Sequence, residues 1–455
     1  MGIQQIIFLL VVVVTFRLAH KAYSVIYRNI HLGKDRVIEG GEGARWKNVF
    51  LIAFGQKKMF KRWIPAVLHL FIYVAFLFTQ IELIEIIVDG LFGTHRFFLP
   101  FFGGLYTVII NFIEILTILA LVGTLAFLAR RNLLKVPRLV MSEMNGWPKL
   151  DGNLILIGEL ILIAGIMTMN GADVMLQKLD PVHFHDSGYL AVSSTLAPLF
   201  LDGWGQEALQ ILERFGWWLH LAAVIGFILY LPLSKHLHIF LAFFNVYYTP
   251  VKSRGEMDNM PDIMGEVQSM MGITPEGEAP EMTDDLPDFG ANDVTNLSWK
   301  NLLGAFSCTE CGRCTSVCPA NLTGKKLSPR KVMMDIRDRA TEIGKKLDSG
   351  QTKYISADHA GETLLTADNF DDGKSLFDYI SKEEINACTT CNACVEACPI
   401  MINPLEPILE LRRYEILTNS SGPADWMPMF NAVENSGSVW TIPDARDAWA
   451  KVDED

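Results

Sequence analysis

The chain has 455 residues, half of them apolar, and a formal net charge of −12 at pH 7. This acidic balance, with no long basic run, excludes a nucleic-acid-binding protein. All eight cysteines fall in two short blocks, 308–318 and 388–398. That distribution excludes a disulfide-stapled secreted domain and indicates metal binding in a reducing compartment.

The apolar residues are concentrated in the first half of the chain. Residues 1–250 are rich in Leu, Ile, Val and Phe, whereas residues 251–455 are polar, acidic and interrupted by Pro and Gly. A helix needs about 20 predominantly apolar residues to cross a bilayer. Five segments meet this requirement: residues 3–27, 64–88, 105–129, 153–170 and 213–238. The first half is therefore predicted to be an all-α membrane bundle of five transmembrane helices.

The short loops between these segments predict the orientation of the bundle. Loops 28–63 and 130–152 are rich in Lys and Arg, whereas loops 89–104 and 171–212 carry very few basic residues. By the positive-inside rule the two basic loops face the cytoplasm. An odd number of spans then places the C-terminal half in the cytoplasm. We expect a multi-pass protein of the bacterial inner membrane with its cysteines on the cytoplasmic side.

The two cysteine blocks share one spacing, C-x-x-C-x-x-C-x-x-x-C-P, which is typical of bacterial two-cluster ferredoxins. Three cysteines converge on one four-iron cluster, and the fourth starts a helix that points to the other cluster, with Pro in its first turn. The predicted ligand sets are therefore crossed. The first set is Cys308, Cys311, Cys314 and Cys398, and the second is Cys388, Cys391, Cys394 and Cys318. Zinc is the alternative, but zinc favours paired C-x-x-C units.

The 69 residues between Cys318 and Cys388 distinguish this domain from a small bacterial ferredoxin. Residues 329–346 and 404–417 carry helical periodicity. With its eight cysteines, the segment resembles the mostly α-helical two-cluster ferredoxin domain found in the iron–sulfur subunits of heterodisulfide reductase and of succinate dehydrogenase. A Cys-Cys-Gly motif is absent, so any noncubane cluster would belong to another chain.

These patterns divide the chain into four predicted parts. They are a membrane cytochrome b-like domain at 1–250, a linker at 251–294, the ferredoxin domain at 295–420, and a C-terminal tail at 421–455. The tail carries several aromatic and Met residues, which are enriched in interface cores. It either docks on a soluble partner or packs on its own ferredoxin domain.

Three histidines in the apolar segments are candidate haem ligands, because an ionisable residue inside a membrane is costly unless it has a partner. His220 and His238 are 18 residues apart, or five helical turns, so a continuous helix would put both on one face, one near each membrane surface. The depth of His69 in the second span matches that of His238. We therefore predict that His69 and His238 hold an inner haem b. His236 is a rival ligand that the same helical geometry places at the membrane interface. The alternative for all three candidates is simple hydrogen bonding within the bundle.

The five-span pattern resembles the gamma subunit of respiratory nitrate reductase and related cytochrome b subunits. In that family the second span carries two histidines with nine residues between them. Here His69 matches the first, but Thr79 occupies the second position. The resemblance therefore implies one inner haem, while His220 either holds a second haem or serves a quinone. Partners for His220 in a second haem site would come from the outer loops: His95, His183 or His185.

Acidic residues in or near the spans are candidates for proton transfer, since buried carboxylates often mark proton paths. Glu114 is the candidate for quinone-linked proton transfer on the outer side. Glu82 and Glu85 lie in the second span, where they either take part or simply reach the outer surface.

A fusion of these two modules resembles the membrane subunits of quinone-linked iron–sulfur oxidoreductases, including complexes that link electron-transfer flavoprotein to menaquinone. The resemblance implies electron transfer between a cytoplasmic redox subunit and menaquinone or another quinone, through two [4Fe-4S] clusters and one or two haems b. Implied partners are membrane lipid, electron-transfer flavoprotein and a separate cysteine-rich iron–sulfur subunit. Two alternatives are an anchor and electron wire without its own quinone site, and a transporter with a redox sensor. The absence of an internal repeat disfavours the transporter.

Overall fold

The structure is a computed structural model that describes residues 2–253, 255–273, 289–443 and 447–451. Within these residues regular structure is helical, apart from two isolated β-bridges. The first half contains α1 (Ile3–Ile30), α2 (Glu42–Asn48), α3 (Trp63–Phe92), α4 (Leu99–Phe102), α5 (Gly104–Asn132), α6 (Trp147–Leu179), α7 (Ser193–Leu201), α8 (Gln206–Tyr230) and α9 (His238–Tyr247). The second half contains α10 (Pro261–Met270), α11 (Trp299–Phe306), α12 (Pro319–Leu322), α13 (Pro329–Ser349), α14 (Lys382–Asn386), α15 (Ala393–Ala397), α16 (Leu405–Arg413) and α17 (Trp426–Ser436).

Five helices, α1, α3, α5, α6 and α8, are long and apolar enough to cross a membrane. The predicted fold class, an all-α membrane bundle with a mostly helical ferredoxin domain, is confirmed. Four of these helices are longer than the apolar segments predicted, most of all α6, which has 33 residues, whereas α8 has 25. Apolar side chains such as Leu10 and Phe16 are exposed on α1, as expected of a surface that lipid covers.

Glycines bring α6 and α8 into close contact. A Cβ atom at Gly165 would lie 2.7 Å from the backbone nitrogen of His220, and a Cβ atom at Gly216 would lie 2.5 Å from that of Met169. Real Cβ atoms do not approach other atoms this closely, so only glycine fits at either position. Small residues at helix contacts are a common way to pack helices in a bilayer, where no hydrophobic force drives them together.

The fifth spanning helix ends at Tyr230, before the predicted histidine pair is complete. Short 3₁₀ turns at Leu231–Leu233 and Lys235–Leu237 follow, and α9 begins at His238. The prediction that His220 and His238 share one face of one helix is therefore wrong. Pro232 removes a helical hydrogen bond, and Ser234 adopts an extended conformation with φ −121° and ψ 149°.

The ferredoxin domain packs directly on one end of the bundle. Ile26 and Ile30 of α1 share a buried core with Leu302 and Ile336 of the ferredoxin domain. The loop after α1 pairs with the segment before α11, where the Lys34 amide donates to the Leu297 carbonyl at 2.7 Å. Both basic loops, 31–62 and 133–146, lie on this side of the bundle and contact the cysteine domain. The two halves of the chain thus form one continuous packed unit.

Parts of the predicted linker and tail lie outside the described residues, namely 254, 274–288, 444–446 and 452–455. In the described part of the linker, the Ala291 amide donates to the Glu410 carbonyl at 3.0 Å, and Ala291 is fully buried. In the tail, Trp440 and Trp449 are exposed.

One buried arginine joins three separate segments of the ferredoxin domain. Arg339 of α13 is 1% exposed and bonds the carboxylates of Asp293 and Asp372, with its shortest contact to Asp372 at 2.7 Å. These bonds hold two other segments against α13. The segment with Asp293 precedes α11, and the segment with Asp372 lies between α13 and α14. This guanidinium compensates the charge of both carboxylates, and Lys346 also bonds Asp372 at 2.7 Å.

Arg339→Met should therefore destabilise the protein by about 3–5 kcal/mol, because it leaves the buried Asp293 carboxylate without its cation. The measurement is the thermal midpoint of cluster bleaching in detergent. Lys326→Met is the matched control, since Lys326 and Glu383 form an ion pair that is largely exposed on both sides. Its midpoint should stay near that of wild type, because solvent screens an exposed pair. Equal midpoints for the two variants would contradict the role assigned to Arg339.

Candidate metal centres

Four cysteines from both blocks line one cavity, which we call the first cavity. They are Cys308, Cys311, Cys314 and Cys398. Two arginines, Arg313 and Arg330, line the same cavity. Arg330 is fully buried and donates to the Glu143 carboxylate at 2.7 Å and to the Arg138 carbonyl at 2.5 Å, both in the second basic loop. The first cavity therefore lies against the membrane bundle.

The other four cysteines line the second cavity. They are Cys318, Cys388, Cys391 and Cys394. Cys391 is exposed, whereas Cys318 and Cys394 are buried. The structure thus groups the eight cysteines in the same two crossed sets that the spacing predicts, and Cys391 places one thiol of the second cavity at the surface.

Matching left-handed residues shape the two cysteine loops. Glu310 and Thr390 stand two residues after the first cysteine of each block and have φ angles of 52° and 55°. Their amides point at the preceding thiols, with 3.4 Å from Glu310 N to Cys308 Sγ and 3.5 Å from Thr390 N to Cys388 Sγ. Amide donors to sulfur raise the potential of an iron–sulfur cluster and stabilise its charge.

The chemistry of the thiols fits iron–sulfur clusters better than single ions. Burial raises the pKa of Cys308 and of Cys394 to about 12, so these thiols hold their protons at neutral pH until a metal displaces them. Within the residues that the structure describes, no three His, Cys, Asp or Glu side chains come close enough to hold one metal ion. The four thiols of each cavity surround a larger space, as a four-iron cluster requires.

The fourth cysteine behaves differently in the two blocks. Cys318 precedes α12, with Pro319 at its first position, as predicted. Cys398 instead follows α15, and residues 399–404 form a turn and an irregular segment before α16. The prediction that both fourth cysteines start a helix is therefore wrong for Cys398. The Ile402 amide still reaches its sulfur at 3.2 Å, because Met401 adopts a left-handed conformation with φ 60°.

The structure brings His69 and His238 together. Their ring centres are 6.5 Å apart, with 43° between the ring planes. The Nδ1 atom of His69 contacts Gln56 Oε1 at 3.1 Å, and that of His238 contacts the Lys235 carbonyl at 3.0 Å. A hydrogen bond at Nδ1 fixes the tautomer that exposes Nε2 to a metal. Two imidazoles on opposite sides of one metal, each with a bond of roughly 2 Å, would have ring centres roughly 6 Å apart. The pair therefore fits an axial haem site.

His236 lies beside this pair. Its ring centre is 5.6 Å from that of His238, and its buried Nδ1 atom has no hydrogen-bond partner in the described residues. The interface prediction assumed that α8 continues through residue 238, and the break at Pro232 turns His236 inward. Burial lowers the pKa of His236 to about 3, with the neighbouring His238 and His69 as further causes. His236 is therefore neutral and remains a rival ligand.

A carboxylate on α6 holds the turn that carries these histidines. Asp151 is 2% exposed and accepts hydrogen bonds from Tyr230 Oη at 2.5 Å, Ser234 Oγ at 2.6 Å and the Lys235 amide at 3.1 Å. These donors lie on the last turn of α8 and the first residues after it. Asp151 therefore positions His238 without touching it. We did not predict this role from the sequence. The position of Asp151 near the start of an apolar segment was a signal that could have indicated it.

The structure does not bring His220 to the outer-loop histidines. Its Nδ1 contacts the Leu162 carbonyl at 3.1 Å, which ties α8 to α6. His95 is instead bonded to Asp173 at 2.8 Å, and His183 to Asp180 at 2.9 Å. None of the ring or hydrogen-bond contacts of the described residues joins His220 to either of them. This arrangement favours a structural role or a quinone contact for His220 over a second haem.

Glu114 anchors the outer loop. Its carboxylate accepts hydrogen bonds from the Val192 amide at 2.8 Å, from the Ser193 amide at 3.1 Å and from the Ser193 hydroxyl. These bonds hold the start of α7 and engage both carboxylate oxygens. The contacts favour a structural role for Glu114 over proton transfer.

Glu82 and Glu85 are buried, which disfavours the alternative that they simply reach the outer surface. They are 2% and 3% exposed and face Arg96, which is bonded to Asp173 at 2.7 Å. Glu85 accepts from Tyr106 Oη at 2.6 Å, whereas one oxygen of Glu82 has no partner in the described residues. Arg96 attracts both carboxylates towards the interior of the bundle. Glu82 and Glu85 are one turn apart in α3, so the sequence already indicated that they share one face of the helix.

Comparison with known proteins agrees with the cysteine geometry. Residues 307–402 match the model of a 4Fe-4S dicluster domain. The probable iron-sulfur-binding oxidoreductase FadF of Bacillus subtilis is 28% identical, and the match covers 96% of this chain and 58% of FadF. EtfAB:quinone oxidoreductase of Syntrophomonas wolfei is 25% identical over 86% of this chain and 52% of that protein.

A shorter match adds a membrane relative. The probable membrane-anchored ferredoxin of Chromohalobacter salexigens is 30% identical over 35% of this chain and 24% of that protein. No solved structure significantly matches the chain. The chain spans about half the length of the Bacillus and Syntrophomonas relatives. It thus carries an iron–sulfur dicluster domain on a bundle that can cross a membrane, and its relatives are iron–sulfur oxidoreductases.

The crossed ligand sets predict which cysteine substitutions act alike. Cys398→Ser should abolish the same cluster signal as Cys311→Ser, because the two thiols face one cavity. Cys318→Ser should abolish the same signal as Cys391→Ser. Electron paramagnetic resonance of the reduced protein distinguishes the clusters. If Cys398→Ser removed the signal that Cys391→Ser removes, each block would bind its own cluster and the crossed sets would be refuted.

Proposed function

We propose that the chain is a membrane-bound electron-transfer subunit that passes electrons between a cytoplasmic redox partner and the quinone pool. The observation that supports this most directly is that one loop serves both metal regions. In loop 49–62, Gln56 contacts His69, while the Met59 carbonyl accepts from Arg313 of the first cysteine loop at 3.2 Å. Short contacts between the first cavity and the histidine pair are what electron transfer requires.

In this proposal the position of each residue determines its role. Cys391 opens the second cavity to the surface, where a soluble partner can approach. Arg330 lines the first cavity and bonds the Arg138 carbonyl of the basic loop 133–146, so this cavity lies against the bundle. His69 and His238 would hold haem b inside the bundle. When bound, the clusters and the haem each accept and release one electron at a time.

The quinone assignment rests on location and on a relative. Electrons that reach His69 arrive inside the lipid-facing bundle, where a lipid-soluble carrier is the natural acceptor or donor. The name of the Syntrophomonas relative includes a quinone as substrate and an electron-transfer flavoprotein as its partner. For this chain, menaquinone or a similar quinone and an electron-transfer flavoprotein are accordingly the proposed partners. A separate cysteine-rich iron–sulfur protein is the remaining proposed partner.

The histidine pair makes a direct spectroscopic prediction. His69→Ala and His238→Ala should each abolish the reduced-minus-oxidised haem b spectrum of the purified protein, because each removes an axial ligand. His359→Ala is the control, since His359 lies in the ferredoxin domain and its side chain contacts Ser356 Oγ at 3.0 Å. If His236→Ala abolished the spectrum while His238→Ala kept it, the ligand assignment would be wrong.

A quinol assay separates the proposed function from that of an anchor and electron wire. Purified protein in liposomes should show haem reduction on addition of a menaquinol analogue, with no other membrane subunit present. The signal should be lost in His69→Ala and retained in His359→Ala. Haem that is reducible by dithionite but not by quinol would favour the wire, which hands electrons to another membrane subunit.

A further inference from the structure

A buried lysine occupies the junction between the membrane bundle and the first cysteine loop. Lys235 is 8% exposed and stands in the turn between α8 and α9. Its ammonium donates to the Pro148 carbonyl at 2.6 Å and to the carboxylate of Glu310, and lies 3.8 Å from Asp151. One side chain thus joins the start of α6, the end of α8 and the ferredoxin domain.

The acceptor, Glu310, belongs to the first cysteine loop. It stands between Cys308 and Cys311 and is 3% exposed. Its carboxylate also accepts a hydrogen bond from a second cation, Arg337 of α13, at 2.8 Å. Burial disfavours the charge of Glu310, and the two cations compensate for that cost. The two ion pairs therefore fix the loop in place.

Both ends of the Lys235–Glu310 pair lie one contact from a candidate metal ligand. The backbone amide of Glu310 contacts Cys308 Sγ at 3.4 Å. The backbone carbonyl of Lys235 accepts from His238 Nδ1 at 3.0 Å. The ion pair is therefore one side-chain link between the loop that carries the thiols of the first cavity and the turn that carries His238.

We propose that the Lys235–Glu310 ion pair is a positioning bridge that locks the His238 turn against the first cysteine loop and sets the redox potential of the first cluster. Lys235 and Glu310 are positioning residues, because neither is a ligand. This inference rests on the proposed electron-transfer function, since it assigns the bridge a role between two electron carriers.

The two members of the bridge should act on the cluster in opposite directions. Reduction adds negative charge to the cluster, so a nearby cation favours it and a nearby anion disfavours it. Removing the Lys235 ammonium should lower the midpoint potential of the first cluster, and removing the Glu310 charge should raise it. Mere disruption of packing would not produce opposite signs.

The test compares Lys235→Met, Glu310→Gln and the double variant with wild type and with Lys326→Met. Electron paramagnetic resonance at poised potentials gives the midpoint of each cluster. We expect a downward shift in Lys235→Met, an upward shift in Glu310→Gln, and a value near wild type in the double variant and in Lys326→Met. Shifts of the same sign, or no shift in either single variant, would overturn the proposal.

The double variant separates positioning from charge. Its cluster potential should return to the wild-type value, yet haem reduction through the clusters should stay slower than in Lys326→Met, because the bridge is still missing. A full return of the rate would refute the positioning role. Lys235→Arg keeps the charge and guards against loss of folding, and its cluster potential should remain near wild type. If wild-type protein binds no haem, the proposed function fails, while the cluster shifts still test the bridge.

Discussion

The seam between the bundle and the first cysteine loop is the interaction on which the rest of the structure depends. Arg330 crosses this seam from α13 to Glu143, and Lys235 crosses it in the opposite direction to Glu310. Breaking a buried ion pair by removing one partner costs about 3–5 kcal/mol, so the seam resists separation. It also keeps the two metal regions at a fixed distance, which a flexible tether would not do.

Two other features follow from this seam. The chain leaves the fifth spanning helix at Tyr230, and Lys235 in the turn that follows reaches Glu310 of the first cysteine loop. Asp151 stabilises the resulting turn by accepting from Ser234 and the Lys235 amide. The crossed cysteine sets bind the ferredoxin domain into one body, since each cavity needs a thiol from the other block. A displacement of the cysteines at one cavity would therefore also displace cysteines at the other.

The sequence alone predicted the features that a single physical rule determines. Hydropathy over 18 or more residues marks the spans, because lipid tolerates little else, and the cysteine spacing marks the two sets of four thiols. His69 and His238 were paired correctly in space by depth in the membrane. The depth of His238 was nevertheless taken from an unbroken helix that starts before His220, and that helix does not exist.

The failures have specific physical causes. The apolar run continues through Pro232 and Ser234, so hydropathy did not reveal where α8 ends. Pro232 was nevertheless a readable signal of a helix break, and Ser234 is extended in the structure. The role of Glu114 in proton transfer stays a prediction, and its bonds to the amides at residues 192–193 could not be read from the sequence. Long-range partners such as Lys235 and Glu310, 75 residues apart, are likewise set only by the folded chain.

The most direct test of the central claim is magnetic coupling between the two metal regions in purified wild-type protein. With the clusters reduced and the haem oxidised, pulsed electron paramagnetic resonance measures the spin relaxation of each cluster. If the first cavity adjoins the histidine pair, one cluster signal should relax markedly faster in the presence of paramagnetic haem, and the other much less so. Equal, slow relaxation of both cluster signals beside an oxidised haem would contradict the account.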